Sequence, residues 1–73
     1  MQPISATHKR LGYRINELRK KLDMTQEDLA FKVGVDRSYM GFVERGEKNP
    51  TLDKLIKLSK ALQISLSELF SSL

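Results

Sequence analysis

The stretch from Thr25 to Arg45, TQEDLAFKVGVDRSYMGFVER, carries the start and stop signals of two short helices. Thr25 is a helix-capping residue, and Asp28 stands three positions later as the acidic partner of a capping box. Gly34 is the residue type that most readily takes the left-handed conformation that closes a helix. Asp36 can cap a new helix only two residues further on. We therefore predict two helices joined by a turn of about three or four residues, which is what a helix-turn-helix motif requires.

Three more helices are predicted around this pair. Leu11, Ile15, Leu18 and Leu22 recur at helical spacing and fall within a sector of about 60°. Further along the chain, Thr51 caps a helix that reaches Leu62, and Ser65 opens a last, short one with a capping box. No alternation typical of a strand is found. The predicted helices are 7–22, 26–33, 37–45, 52–62 and a short one after residue 65.

The predicted fold class is therefore all-α. We expect one compact five-helix domain over residues 1–73, with the helix-turn-helix at the second and third helices and a flexible lead-in at residues 1–6. The 73 residues leave room for a single domain.

The third helix has two faces of different character. At about 100° per residue, its apolar side chains share one face, and the outward face carries Arg37, Ser38, Gly41, Phe42 and Arg45. Such a helix fits the major groove, where Arg pairs with guanine and Ser bonds to several bases. Glycine is unfavourable inside a helix, so its presence at position 41 needs a reason. Either the backbone approaches another surface closely there, or Gly41 occurs by chance in a helix held by tertiary contacts. Phe42 either touches a thymine methyl group or folds onto the neighbouring loop.

Composition narrows the function classes. There are 13 Lys and Arg against 9 Asp and Glu, a net charge of +4, which favours polyanionic partners. Without Cys, and with His8 as the single His, the chain offers no thiol nucleophile, no set of metal ligands and no phosphate-binding glycine pattern. We expect no enzyme, no cofactor and no metal. With neither a signal peptide nor a long apolar run, we expect a cytoplasmic protein of the bacterial nucleoid and no membrane partner.

Three short motifs together resemble a known family. They are MTQEDLA at residues 24–30, VGV at 33–35 and VERGEKNPT at 43–51, and they are similar to the lambda-repressor-like, Cro-type helix-turn-helix family of bacterial and phage regulators. Within that family, the start of the third helix, DRSY at 36–39, resembles the controller proteins of restriction–modification systems. Gly41-Phe42 departs from the usual pattern, where Ser and a variable residue are more common. The resemblance implies a homodimeric transcriptional regulator that binds a palindromic operator in double-stranded DNA.

The resemblance also assigns roles to residues. It implies that Arg37 and Ser38 read bases, joined by Phe42, and that the DNA backbone is contacted by Gln26, Arg45, Lys48 and Asn49. For Gln26, the first turn of the second helix also attracts phosphate, although ordinary solvent exposure remains open. An ion pair between Arg19 and Glu44 is implied to hold the third helix against the first.

A dimer interface is predicted near the carboxyl end. Apolar residues are denser in the segment 62–73 than one short helix needs, and we assign Ile64, Leu66, Leu69 and Phe70 to a two-fold contact. The alternative is that these residues all pack within the monomer.

Two other functions stay open at this stage. One is an ordinary autoregulatory or phage-type repressor, and the other is an antitoxin or protein-binding module on the same scaffold. RNA polymerase is a further candidate partner, and neither the operator nor the sign of regulation follows from the sequence.

Overall fold

The computed structural model describes residues 5–71 and 73, and these form five helices connected by short turns. The helices are α1 (Ala6–Lys21), α2 (Gln26–Val33), α3 (Arg37–Glu44), α4 (Leu52–Ala61) and α5 (Leu66–Phe70). No strand occurs among the described residues. The predicted all-α class is thus confirmed, and the helix bounds agree with the sequence prediction to within a few residues.

Every helix begins after a polar residue whose side chain accepts a backbone N–H bond. The four predicted caps, Thr25, Asp36, Thr51 and Ser65, all act in this way. The first helix begins earlier than predicted, because the Ser5 hydroxyl accepts the backbone N–H of His8. Residues 5 and 6 of the predicted lead-in 1–6 therefore form the cap and the first position of α1. The rest of that predicted lead-in, residues 1–4, lies outside the described residues.

The turn between α2 and α3 depends on one glycine. Gly34 has a φ of 81° and donates its N–H to the carbonyl of Ala30 at 2.9 Å, which closes α2 as the sequence predicted. Because α3 starts after Asp36, the two helices are joined by residues 34–36. This short connection fixes α3 across the end of α2.

Buried apolar side chains from all five helices form a single core. The helix pair α2 and α3 packs on α4 and α1, and α5 closes the core against α1 and α4. The buried apolar residues are Leu11, Ile15, Leu29, Ala30, Val33, Met40, Val43, Leu58, Leu62 and Leu69. Since Met40 and Val43 lie in this core, α3 is anchored by its apolar face and its other face is left outward.

A glycine allows α1 to approach α3 closely. A Cβ atom on Gly12 would collide with the carbonyl oxygens of Val43 and Glu44 at the end of α3. The two helices therefore meet backbone to backbone at this point. This close contact helps to fix the position of α3 relative to α1.

In the described part of the chain, no helix combines the length and the apolar character needed to cross a bilayer.

Candidate nucleic-acid interface

The outward face of α3 is a largely polar surface, and we call its five residues, Arg37, Ser38, Gly41, Phe42 and Arg45, the reading face. Gly41, predicted on this face, is buried, with the side chains of Arg45 and Gln26 next to it. Asp36 caps α3 by accepting the N–H of Tyr39 at 2.7 Å, so the helix begins with Arg37 and Ser38 in its first turn. Both of these side chains are exposed. An arginine and a hydroxyl are therefore offered to solvent at the end of α3 that lies next to α2.

The predicted ion pair lies directly beneath this face. Arg19 Nε donates to Glu44 Oε2 at 2.7 Å, and Arg19 Nη2 donates to Glu44 Oε1 at 3.0 Å. The exposed fractions of the two side chains are only 9 % and 3 %. A third bond, from Arg19 Nη1 to the carbonyl of Met24 at 2.8 Å, ties the same guanidinium to the turn before α2. The pair thus connects α1, the start of α2 and α3.

Glu44 is the centre of a larger hydrogen-bond cluster. Its Oε1 accepts from Asn16 Nδ2 at 2.7 Å and from Gln26 Nε2 at 3.1 Å, in addition to Arg19. Burial acts to raise the pKa of the Glu44 carboxyl, but these three hydrogen bonds and the Arg19 charge together outweigh it and keep the pKa below its ordinary value. Glu44 is therefore ionised under physiological conditions, and its charge is matched inside the protein.

Gln26 links the buried cluster to the reading face. While its Nε2 donates to Glu44, its Oε1 accepts from Arg37 Nη1 at 3.1 Å. The side chain that the resemblance assigned to a phosphate is thus half-buried and joined to the arginine assigned to a base. A chain of hydrogen bonds thus runs from Arg19 through Glu44 and Gln26 to Arg37. It connects the exposed Arg37 guanidinium to the buried Arg19 guanidinium.

Phe42 answers one question that the sequence left open. Its ring, 39 % exposed, lies under two cations that belong to the end of α3 and the loop that follows. Arg45 Cζ is 4.9 Å and Lys48 Nζ is 5.6 Å from the ring centroid. The ring therefore contacts the neighbouring loop, and contact with a thymine methyl group stays a prediction.

The loop after α3 presents two of the residues predicted to meet the DNA backbone. Lys48 and Asn49 are both exposed, whereas Pro50 is buried and anchors the loop. Gly46, with a φ of 76°, packs so closely on α1 that a Cβ atom there would lie 2.8 Å from Lys9 Cα. The loop is thereby held beside the reading face.

Two residues of this surface were missed from the sequence. Asn16 lies on the α3 side of α1, one turn before Arg19, and that spacing was the available signal. Glu47 accepts from Arg45 Nε at 3.2 Å, a contact that depends on how the chain turns at Gly46. Asn16 belongs to none of the quoted motifs, and Glu47 lies within the quoted stretch 43–51, although the resemblance assigned it no role.

The structure divides the residues predicted for a dimer interface. Leu69 is fully buried in the core of the subunit, so the expectation that it meets a second copy is corrected. Leu62, in the predicted segment 62–73, is equally buried. By contrast, Phe70 is 37 % exposed, and Ile64 and Leu66 are half-buried at the edge of the core. Leu69 is the residue of the short α5 that points inward, which the density of apolar residues could not reveal.

The five helices, the tight turn after α2 and the exposed polar face of α3 define a helix-turn-helix protein. The helix-turn-helix family model matches residues 15–69, and the chain belongs to this family. It is a DNA-binding regulator of transcription, and its family is not a class of enzymes.

The similar proteins include controllers of restriction–modification systems. The chain is 43 % identical over 65 residues to the control protein C.MunI of a Mycoplasma species, which covers 88 % of each chain. Its structure matches that of the restriction–modification controller protein C.AhdI from Aeromonas hydrophila with a TM-score of 0.87 and 47 % identity, over 90 % of this chain and all of the other. It also matches the P22 c2 repressor, solved in complex with a synthetic operator, with a TM-score of 0.77 and 42 % identity over 81 % of this chain and 89 % of the other. The predicted resemblance is confirmed at the level of family and close relatives.

Proposed function

We propose that this chain is the controller protein of a restriction–modification system and that it acts as a homodimer on a palindromic operator. In each half-site, α3 lies in the major groove, Arg37 and Ser38 contact base edges, and Phe42 lies beside them. Gln26, Lys48 and Asn49 contact the phosphates, and the resemblance places Arg45 among these backbone contacts. The site of action is the bacterial nucleoid in the cytoplasm.

One observation carries the DNA-binding part of the proposal. Arg37 is exposed at the start of α3, yet its guanidinium is tied through Gln26 to the buried Glu44 carboxylate. A side chain held in this way loses less conformational freedom when it binds a base edge, and such preorganisation favours selective contact. A solvated arginine without a reading role needs no such arrangement.

Exposed apolar side chains support the homodimer. Leu52 is 62 %, Ile56 36 % and Phe70 37 % exposed, and they come from α4 and α5, which pack against each other. A two-fold contact that buries such a surface sets the two reading helices about 34 Å apart, one turn of DNA. A single reading helix contacts too few base pairs for the affinity of about 10⁻⁸ M or better that specific regulators reach.

The regulatory outcome follows from where the operator lies. A dimer bound near a promoter blocks RNA polymerase or contacts it according to the distance between the two sites, so polymerase is the second protein partner that we propose. The second candidate function is a phage-type repressor, which the likeness to the P22 c2 repressor favours. Genes for a methyltransferase and an endonuclease next to the gene of this chain would identify it as a controller instead.

The DNA-binding test is footprinting on the chain's own upstream region, followed by titration at several salt concentrations. We expect protection of two symmetric half-sites and an affinity that falls steeply as salt rises, because bound cations displace counterions from the duplex. No binding to any duplex, or binding that is as strong in high salt as in low salt, would overturn the proposal in favour of a protein-binding module.

The dimer test compares two exposed phenylalanines. In sedimentation at micromolar concentration, we expect the unmodified protein to be a dimer of two 8.4 kDa chains and the Phe70→Lys variant to be a monomer. Phe31→Lys is the matched control, since Phe31 is 87 % exposed on α2. If the unmodified protein sediments only as the 8.4 kDa chain, the homodimer is refuted.

A further inference from the structure

We propose that Arg45 reads a guanine base in the operator, in place of the phosphate contact that the resemblance implies for it, and that Gly41 and Phe42 position its guanidinium. The inference rests on the proposed DNA-binding function and deepens it. It adds a second base-reading arginine to Arg37 in each half-site.

The first step is where the Arg45 side chain lies. It folds back along α3, so that its Nη1 is 3.2 Å and its Cζ 3.9 Å from the position that a Cβ atom on Gly41 would take. On the helix, residue 41 is separated from Arg37 by only about 40°, near the middle of the reading face. The Arg45 charge therefore lies over the centre of this face and not at its rim.

The second step is what holds the guanidinium there. Phe42 lies beneath Arg45 Cζ at 4.9 Å from the ring centroid, a cation–π distance. On the other side, Arg45 Nε donates to Glu47 Oε1 at 3.2 Å. Among the described residues, this bond occupies the Nε position, and the Nη1 and Nη2 groups remain for a partner. Parallel N–H groups of this kind bond the O6 and N7 atoms of guanine.

The third step separates a base from a phosphate. The Glu47 carboxylate is 52 % exposed beside Arg45, and a phosphate placed on that side of the guanidinium would be repelled by it. Lys48, whose Nζ lies 5.6 Å from the same Phe42 ring, is the cation on the loop side and suits the phosphate. Gly41 is buried next to the Arg45 guanidinium, and because Gly41 has no side chain, that guanidinium can lie close to the backbone of α3.

This arrangement also gives the departure at Gly41-Phe42 a single explanation. A Cβ atom at position 41 would lie only 3.2 Å from Arg45 Nη1, so the guanidinium would have to shift by a few tenths of an ångström. A small side chain at position 42 would remove the ring that supports it. The two residues thus serve Arg45 as positioning residues.

The test is a selection of binding sites from randomised duplexes with three proteins: the unmodified chain, Arg45→Lys and Arg10→Lys. Arg10 is an exposed arginine on α1 outside the site, so it controls for the Arg-to-Lys exchange itself. We expect Arg45→Lys to lose the preference for one guanine per half-site and to bind the selected operator about 10- to 100-fold more weakly. Its binding to random duplex and its salt dependence should stay unchanged, since the charge is kept.

The outcomes distinguish the two levels of the proposal. If the unmodified chain enriches no sequence, the proposed operator binding fails. If it enriches a sequence and Arg45→Lys enriches the same one with equal affinity, operator binding stands and the role of Arg45 is refuted. A fourth protein, Arg45→Ala, tests the phosphate alternative. If it weakens binding to operator and random duplex equally and lowers the salt dependence, Arg45 is a phosphate contact and the inference is likewise refuted.

A double-mutant cycle tests Gly41. Gly41→Ala should leave the unfolding temperature unchanged or raise it, because Ala favours a helix and the contacted atom is the end of a flexible side chain. We expect it to weaken operator binding in the unmodified chain and to add little in the Arg45→Lys background. An equal loss in both backgrounds would mean that the added methyl group meets the DNA itself, which would overturn the positioning role.

Discussion

Arg19→Ala is expected to cost this small domain a large share of its stability. The substitution leaves the Glu44 carboxylate, whose side chain is 3 % exposed, without its positive partner, and it also removes the bond to the Met24 carbonyl. Loss of one partner from a buried ion pair costs about 3–5 kcal/mol. A domain of 73 residues has a total unfolding free energy of about 4–11 kcal/mol.

The expected result is therefore a fall in melting temperature of at least about 12 °C, followed by circular dichroism and by urea denaturation. Arg10→Ala, the loss of an exposed arginine from the same helix, is the control and should change the free energy of unfolding by less than about 0.5 kcal/mol. DNA binding should fall with stability, because Glu44 no longer holds Gln26 and α3 in the same way.

A second variant separates the cost of an unpaired charge from other effects. The combined change Arg19→Met and Glu44→Leu removes both charges, and apolar replacement of a buried pair is often neutral or stabilising. We expect the double variant to regain most of the lost stability. An Arg19→Ala protein that melts like the Arg10→Ala control but no longer binds DNA would refute the reasoning, since Arg19 would then act on DNA directly.

Three further results are expected. Gly12→Ala should destabilise the fold by about 3 kcal/mol, because the added methyl group meets backbone carbonyls that cannot move away. Gly34→Ala should cost about 1 kcal/mol, since there is open space around Gly34 but its φ is 81°. Urea denaturation of both proteins tests this, and equal losses of unfolding free energy would contradict it. Because folding lowers the pKa of Glu44, its contribution to the unfolding free energy is present above the ordinary pKa of a glutamate and is lost as pH falls through the folded value. The unfolding free energy of Glu44→Gln should therefore depend less on pH below about 5 than that of the unmodified chain. Parallel pH profiles of the two proteins would refute this. Gln26→Ala should lower stability by only about 1 kcal/mol while blurring the preference for the base read by Arg37, as site selection would show; an unchanged preference with uniformly weaker binding would leave Gln26 a phosphate contact alone.

Local signals in the sequence were sufficient for the helices and the turn. A cap such as Thr25 or Asp36 accepts a hydrogen bond from a residue three positions later, and Gly34 ends α2 through its own φ. Because these interactions involve only neighbouring residues, the sequence was enough to predict them. The face of α3 followed in the same way, because helical periodicity alone separates Met40 and Val43 from Arg37 and Ser38.

Contacts between distant residues were decided by the tertiary structure. Glu44 gathers donors from Asn16, Arg19 and Gln26, which lie 18 to 28 positions earlier in the chain. The resemblance supplied the Arg19 pair, and helical spacing places Asn16 on the same side of α1. Nothing in the sequence indicates the bond from Asn16 to Glu44 or the link through Gln26 to Arg37. In the same way, Leu69 could be assigned to the core only once α5 was seen to pack on α1 and α4.

The sequence by itself thus determined five helices, their order and the polar face of α3, since these depend on capping, backbone conformation and periodicity within a few residues. Only the tertiary structure decided that Arg45 folds over Gly41 onto Phe42 and that a buried carboxylate holds Arg37 through Gln26. The physical reason is that side-chain positions of this kind are set by neighbours brought together by packing, and neither helical spacing nor residue type specifies those neighbours.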